Sequence, residues 1–124
     1  MKKILIVEDD KYLANAHRVK LTKSGFETMI AYDGNEAIKT CATFNPDIII
    51  LDLIMPNKDG FTVIEELKND PVMKTIPIIV TSNLSQQEDI NRALNLGAVD
   101  YIVKSNIDLN DLLRKINSVL QTTN

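Results

Sequence analysis

Acidic residues follow two of the aliphatic runs in this chain. Glu8-Asp9-Asp10 comes after the first run, and Asp52 comes after the most hydrophobic one, Ile48–Leu51, while Thr81 and Lys104 follow two later runs. Carboxylates held a few ångströms apart either share protons or bind a cation. Oxygen ligands of this kind select Mg²⁺, which takes one or two carboxylates and keeps several waters. If the first and third runs are neighbours in one sheet, the acids form a cluster suited to a divalent ion.

Asp52 differs from the other acids in its surroundings. It is followed by Leu53-Ile54-Met55-Pro56, so its carboxylate lies in an apolar setting. A carboxylate can attack a phosphoryl group and form an acyl phosphate when a metal and a cation hold the transferring oxygens. Lys104 could supply the cation and Thr81 a hydroxyl donor. Taken singly, each acid is also compatible with a helix cap or a solvated turn, and Asp10 fits the N-cap of the first helix best.

The elements that must position these residues are visible as an alternation. Five short runs rich in Ile and Val, at residues 3–7, 27–31, 47–51, 76–80 and 99–103, alternate with longer amphipathic stretches. The runs are predicted strands, and their lack of polar alternation indicates a sheet covered on both faces. Five successive strand-helix units give a parallel sheet with helices on both sides. Ligands of such sheets bind at the carboxyl ends of the strands.

Helical periodicity is clearest near the end of the chain. One apolar stripe is formed by Leu109, Leu112, Leu113, Ile116, Val119 and Leu120. Residues 107–108 begin this helix, and Asp108 is its expected N-cap. Gly25 and Gly97 fall at expected helix C-terminal positions. The only histidine, His17, lies on the first helix beside Arg18 and is expected to be a surface or boundary residue rather than a phosphorylation site.

The composition excludes several classes of protein. The chain has 124 residues, of which 44% are hydrophobic and 25% charged, which fits one folded domain. Its net charge is −3, with no acidic or basic block beyond residues 8–10, so nucleic-acid and anionic-membrane binding are not expected. No aliphatic run approaches the roughly 20 residues of a membrane span. Cys41 has no disulfide partner and is predicted to be buried and inert; the expected location is the cytoplasm.

The chain resembles the receiver domain of bacterial two-component response regulators from Lys3 to about Leu120. The resemblance is carried by residues 4–10, 47–52, 55–60, 77–82 and 97–104. It implies one receiver domain over residues 1–124. The implied fold is α/β, a flavodoxin-like (βα)5 three-layer sandwich whose parallel five-stranded sheet has the order 2-1-3-4-5.

The resemblance also implies a role for each site residue. Asp52 would be the phosphoacceptor, and Asp9 and Asp52 would bind Mg²⁺ directly. Glu8 would hold the metal through water, and the backbone carbonyl of Ile54 would be a further ligand. The remaining roles concern the phosphoryl group: Thr81 would bond to it, Lys104 would pair with it, and Tyr101 would change rotamer as Thr81 moves. An ordinary half-buried tyrosine remains the alternative for Tyr101.

The implied function is signalling, not turnover of an external substrate. A sensor histidine kinase or a histidine phosphotransfer protein would donate the phosphoryl group, and the domain would catalyse only its own phosphorylation and slow dephosphorylation. Output would pass to a protein target through the fourth helix, fifth strand and fifth helix, from a monomer that phosphorylation could make a dimer. Two alternatives stay open: a phosphorylation-independent scaffold, and a small Mg²⁺-dependent aspartyl phosphatase. Such phosphatases usually carry a second acid two residues after the first, where this chain has Ile54.

Two positions depart from the family pattern. Ser105 follows Lys104 where the family commonly has a proline with a cis bond, and a non-proline cis bond costs roughly 3 kcal/mol. We therefore expect a changed loop in which the lysine charge is kept. Lys58 replaces an apolar residue before Asp59-Gly60, a change expected to affect only the surface.

Overall fold

The sheet of the protein has the predicted topology. A computed structural model describes residues 1–106 and 108–122. Its five strands are all parallel and run in the order β2-β1-β3-β4-β5. They are β1 Lys3–Val7, β2 Glu27–Ala31, β3 Ile48–Leu51, β4 Ile78–Ser82 and β5 Asp100–Val103. This order confirms the flavodoxin-like fold class.

The last three strands start later than predicted. The third and fifth begin one residue late, and the fourth begins at Ile78 and ends at Ser82 instead of spanning 76–80. A short 3₁₀ turn over Met73–Thr75 runs up to Ile76, which caps it, and Pro77 has no N–H to give to the sheet. Thr81 is therefore a strand residue, not the first residue after the strand.

Five helices connect and follow the strands. They are α1 Lys11–Lys23, α2 Gly34–Phe44, α3 Gly60–Lys68, α4 Gln87–Leu96 and α5 Leu109–Thr122. The side chains of Asp10, Asp33 and Asp59 cap the first three by accepting backbone N–H groups of the first turn. Asp108 accepts the backbone N–H of Asp111, which confirms its predicted capping role; Ile107 lies outside the described residues.

The helices cover both faces of the sheet. Side chains of α2, α3 and α4 pack with Leu5, Ile49 and Val80 on one face. Side chains of α1 and α5 pack with Ile4 and Ile50 on the other. All four residues of β3 are buried because both of its faces are covered, as its uninterrupted apolar sequence predicts. In the described part of the chain, no helix has the length and apolar character to cross a bilayer.

Burial was predicted correctly for Cys41 but not for His17. Cys41 is buried as predicted, and burial raises the pKa of its thiol to about 11, which keeps it unreactive. The expectation that His17 lies at the surface or boundary was wrong, because only 6% of this residue is exposed. It lies one turn after Leu13 and one turn before the buried Leu21, so helical spacing carries it onto the inward stripe of α1.

The loop after β5 is changed as expected. None of the described peptide bonds is cis, so Lys104 and Ser105 are joined by a trans bond. Residues Lys104–Asn106 form a 3₁₀ turn that leads toward α5.

Candidate functional site

The carboxyl ends of the strands bring the predicted site residues to one edge of the sheet. Val7 of β1 pairs with Leu51 of β3, so Glu8 and Asp52 follow neighbouring strands at the same level. The backbone N–H of Asp52 donates to the carbonyl of Val7 at 3.0 Å and continues this ladder by one residue. Lys104 comes directly after β5 at the same edge.

Three carboxylates meet at this edge. Glu8, Asp9 and Asp52 each offer an oxygen atom, and these oxygens lie within 4.8 Å of one another. Glu8 and Asp52 are only 2% and 5% exposed, whereas Asp9 faces solvent. A Mg²⁺ ion bonded at about 2.1 Å would hold two direct ligand oxygens no more than about 4.2 Å apart, so those of Asp9 and Asp52, the predicted direct ligands, need a shift of under about 1 Å. The acidic cluster therefore fits the predicted cation.

Lys104 supplies the positive charge of the site. Its Nζ lies 2.5 Å from Oε1 of Glu8 and 3.3 Å from Oδ2 of Asp52. Burial raises the pKa of Glu8 to about 7, with a further rise from the charge of Asp52 and an opposing effect of Lys104. Burial alone would lower the pKa of Lys104, but the bond to Glu8 and the charges of both acids outweigh it and raise it. Lys104 thus stays charged beside the two acids.

Asp52 opens a loop that returns tightly on itself. The N–H of Gly60 donates to the carbonyl of Leu53 at 2.8 Å and closes the loop. A Cβ at Gly60 would lie 2.5 Å from the carbonyl oxygen of Asp52, so only glycine fits there. Ile54, near the start of the loop, donates its N–H to Oδ1 of Asp52 at 3.4 Å, and its side chain is 57% exposed. The loop thus holds the backbone of Ile54 beside the carboxylate of Asp52.

A contact with the turn between β2 and α2 holds the other end of the loop that follows Asp52. Asn57 has a left-handed backbone with φ of 70°, and Nδ2 of Asn57 donates to Oδ2 of Asp33 at 3.0 Å. The Lys58 N–H donates to the Pro56 carbonyl at 2.8 Å, so the chain makes a tight γ-turn around Asn57, a strained conformation. A Cβ at Gly34 would lie 2.4 Å from the Lys58 carbonyl oxygen. No sequence prediction included this contact.

Lys58, whose substitution was expected to affect only the surface, also takes part in packing. Its Nζ forms an ion pair with Oε1 of Glu66 at 2.5 Å, and its carbonyl is the atom that approaches Gly34. The charged side chain of Lys58 is thus paired with Glu66 of α3, while the backbone of Lys58 contributes to the loop contact.

An open cavity of about 320 Å³ contains the acidic cluster. We name it the acidic cavity; it is lined by Glu8, Asp9, Asp10, Asp52, Ile54, Asn83 and Lys104. Two predicted residues lie outside it. Thr81 is buried and lines a neighbouring cavity that also includes Lys104, and half-buried Tyr101 donates its hydroxyl to the carbonyl of Leu84 at 2.6 Å. The structure thus gathers the predicted metal and acceptor residues in one cavity, and Thr81 and Tyr101 lie outside it.

The comparisons with known proteins all indicate the same protein family. The family model described as response regulator receiver domain matches residues 4–117. The DNA-binding dual master transcriptional regulator RpaA of Synechocystis sp. is 32% identical over 99% of this chain, which covers 51% of that protein. The alkaline phosphatase synthesis transcriptional regulatory protein PhoP of Bacillus subtilis is 36% identical over 83% of this chain and 42% of its own. The chain therefore spans about half, or less, of the length of these curated relatives.

Solved structures agree over the full length. A two-component response regulator from Clostridium difficile superposes with a TM-score of 0.93 at 30% identity, covering 100% of this chain and 99% of that one. The receiver domain of the Francisella response regulator 1452 gives a TM-score of 0.92 at 30% identity, with both chains fully covered.

Proposed function

The chain belongs to the response regulator receiver domain family, and we propose that it accepts one phosphoryl group on Asp52. The observation that carries this proposal is the meeting of a buried Asp52 with Glu8, Asp9 and Lys104 at one edge of the sheet. A carboxylate nucleophile needs a cation on one side and a metal site on the other, and these residues provide both. We propose that residues 1–124 act as one such domain.

The transfer is a displacement at phosphorus. An Oδ atom of Asp52 attacks the phosphoryl group of a phosphohistidine on a partner protein. The new oxygen–phosphorus bond forms as the phosphorus–nitrogen bond breaks, and the electron pair of the broken bond stays on the imidazole. The acidic cavity is open, so a donor side chain can reach Asp52 from solvent. A sensor histidine kinase or a histidine phosphotransfer protein is the proposed donor.

Mg²⁺ is the proposed cofactor. Asp9, Asp52 and the carbonyl of Ile54 would hold it directly, and Glu8 would hold it through water. A bound Mg²⁺ would offset the negative charge of the cluster and of the incoming phosphoryl oxygens. Oε1 of Glu8 already accepts a hydrogen bond from the ammonium of Lys104 at 2.5 Å, so Glu8 would contact the lysine and the metal-bound water at once.

Lys104 and Thr81 are proposed to hold the product. The ammonium of Lys104 is 3.3 Å from Asp52 and would pair with an oxygen of the phosphoryl group. The hydroxyl of Thr81 would donate to another. Tyr101, whose hydroxyl is bonded to the loop after β4, is the proposed switch that follows Thr81. Together these movements would alter the surface of α4, β5 and α5, which we propose contacts a downstream protein in the cytoplasm.

Intact-mass analysis tests the central step. The protein is incubated with Mg²⁺ and a small phosphodonor such as acetyl phosphate, beside Asp52→Asn and the matched control Asp59→Asn. Asp59 caps α3, and asparagine keeps the capping acceptor. We expect a single phosphoryl adduct in the wild type and in Asp59→Asn, and none in Asp52→Asn.

Two other results would refute this function. An adduct that persists in Asp52→Asn would place the acceptor elsewhere. Continuous release of phosphate from a small phosphate ester would instead favour the phosphatase alternative, although Ile54 occupies the position where such enzymes usually carry a second acid.

A further inference from the structure

A second cavity lies between α1 and α5, next to the acidic one. It measures about 300 Å³, and its aliphatic walls are Leu13 of α1, Ile102 of β5, and Leu109 and Leu112 of α5. We name it the α1–α5 cavity. Small-molecule sites in proteins begin at about this volume and are lined mainly by apolar side chains. The cavity therefore has the size and walls of a ligand site.

His17 adds a polar group to these walls. It is 94% buried, as its 6% exposure shows, and its Nδ1 has no hydrogen-bond partner. Burial, and then the positive charge of Lys104, lower the pKa of His17 to about 4, so its imidazole is neutral at pH 7. A neutral imidazole has one donor and one acceptor nitrogen. Because Nδ1 is enclosed by protein, a ligand in the cavity meets the ring at its other nitrogen, Nε2, and a hydroxyl that bonds there would gain affinity.

The charges around the cavity decide which ligands it can take. Lys104 and Asp108 also line it, and Lys104 is already paired with Glu8 and Asp52. The two residues place opposite charges on the wall, so an ion of either sign is attracted by one of them and repelled by the other, and it must also lose its hydration. A neutral ligand avoids both penalties.

We propose that the α1–α5 cavity binds a small neutral molecule with an aromatic or alicyclic body and one hydroxyl group. The body packs on the four aliphatic side chains, and the hydroxyl bonds to the imidazole of His17. Thr81 and Lys104 line the same cavity, so a bound molecule would touch two residues of the acceptor site. Binding itself does not depend on the proposed function, whereas an effect of binding on phosphorylation rests on it.

Three probes that share one ring test the proposal. p-Cresol carries the hydroxyl, toluene lacks it, and p-toluate is an anion of similar shape. Each is titrated into the ¹⁵N-labelled protein, and backbone amide shifts are followed. We expect saturable shifts in α1 and α5, with p-cresol binding about three- to tenfold tighter than toluene because of one added hydrogen bond. p-Toluate should bind more weakly than either.

Variants separate the roles of the ring and the walls. His17→Leu should erase the preference for p-cresol while toluene still binds. Leu109→Trp should fill the cavity and abolish binding of both probes, and thermal unfolding shows whether this variant is folded. If Leu109→Trp is unfolded, the comparison of His17→Leu with the wild type is by itself the test of the proposal. Asp52→Asn should bind p-cresol as the wild type does, so a failure of phosphoryl acceptance is distinguishable from a failure of this site.

Several results would overturn the proposal. These are the absence of saturable shifts, equal affinities of the wild type for p-cresol and toluene, and a preference that survives His17→Leu. Sedimentation at the same protein concentration tests another occupant. A dimer that Leu109→Trp dissociates would mean that a second copy fills the cavity, and the small-molecule site would be refuted.

Discussion

His17 should make the stability of the fold depend on pH. Its pKa in the folded protein is lowered to about 4 from the usual 6.5, because burial penalises the imidazolium and Lys104 repels it. Between these two pH values the unfolded chain binds more protons than the folded chain does. The free energy of unfolding must therefore rise with pH through this interval. The contribution is fully present above pH 6.5 and is lost as the pH falls toward 4.

The size of the effect follows from the difference between the two pKa values. At about 1.4 kcal/mol for each pKa unit, it corresponds to a loss of about 3 kcal/mol at acid pH. Little of this is screened by solvent, since only 6% of His17 is exposed. The charged residues that line the same cavity as the ring are Lys104 and Asp108, and Lys104 is the one that acts on its pKa. The raised pKa of Lys104 keeps its repulsion constant over the interval.

The assay compares the wild type with His17→Leu by urea denaturation from pH 4 to 7.5. Carboxylates titrate in both proteins, so their contributions cancel in the difference. This matters for Glu8, whose raised pKa acts with the opposite sign and makes the fold less stable as the pH rises from about 4.5 to 7. We expect the wild type to lose about 3 kcal/mol relative to His17→Leu as the pH falls. Parallel profiles would refute the reasoning, because they would mean that His17 is not held neutral by burial.

Three variants test the loop after Asp52 and its contacts. Ile54→Asn should shorten the half-life of the phosphorylated protein severalfold, because the apolar Ile54 side chain lies at the rim where water must approach; equal half-lives in a mass-spectrometric decay would contradict this. Asn57→Ala removes the 3.0 Å bond to Asp33 at a residue with positive φ and should cost about 1–2 kcal/mol. Calorimetric titration of the same variant should show weaker Mg²⁺ binding than the wild type, and unchanged affinity would show that the contact does not position the loop. Gly34→Ala places a methyl group 2.4 Å from the Lys58 carbonyl and should cost about 2 kcal/mol or more in denaturant unfolding.

The apolar pattern of the strands predicted most of the fold. Residues such as Ile48–Leu51 are apolar without alternation, which is possible in a strand only when both faces are covered. That pattern predicts helices on both faces and thereby places Asp52 at the carboxyl edge. The order of the strands came from the family resemblance, because hydrophobic pattern alone does not say which parallel strand lies beside which.

The burial of His17 was mispredicted because its residue type was given more weight than its position on the helix. His17 is polar and stands beside Arg18, which suggests an exposed site. Its spacing of four residues from Leu13 and from Leu21 places it on the inward stripe of α1. A count of helical spacing would have found this burial, although it could not have found the cavity, which also needs α5.

The contact between Asp33 and Asn57 was beyond any local pattern. The two residues are 24 positions apart and lie in different loops. Each has a local explanation, Asp33 as the N-cap of α2 and Asn57 as a residue that tolerates positive φ. Their pairing appears only when the sheet order sets the turn after β2 against the loop after β3. Long-range polar contacts of this kind follow from topology and not from sequence periodicity.

Lys104 lies between the acidic cavity and the α1–α5 cavity. Among the described lining residues, it alone is common to the acidic cavity and the α1–α5 cavity. In one cavity its ammonium pairs with Glu8 and Asp52, and toward the other its charge helps to keep His17 neutral. A group that draws the ammonium toward Asp52 must also change the charge that His17 experiences. Any ligand of the α1–α5 cavity and a phosphoryl group on Asp52 would therefore act on the same side chain, and any coupling free energy between them is by linkage the same in both directions.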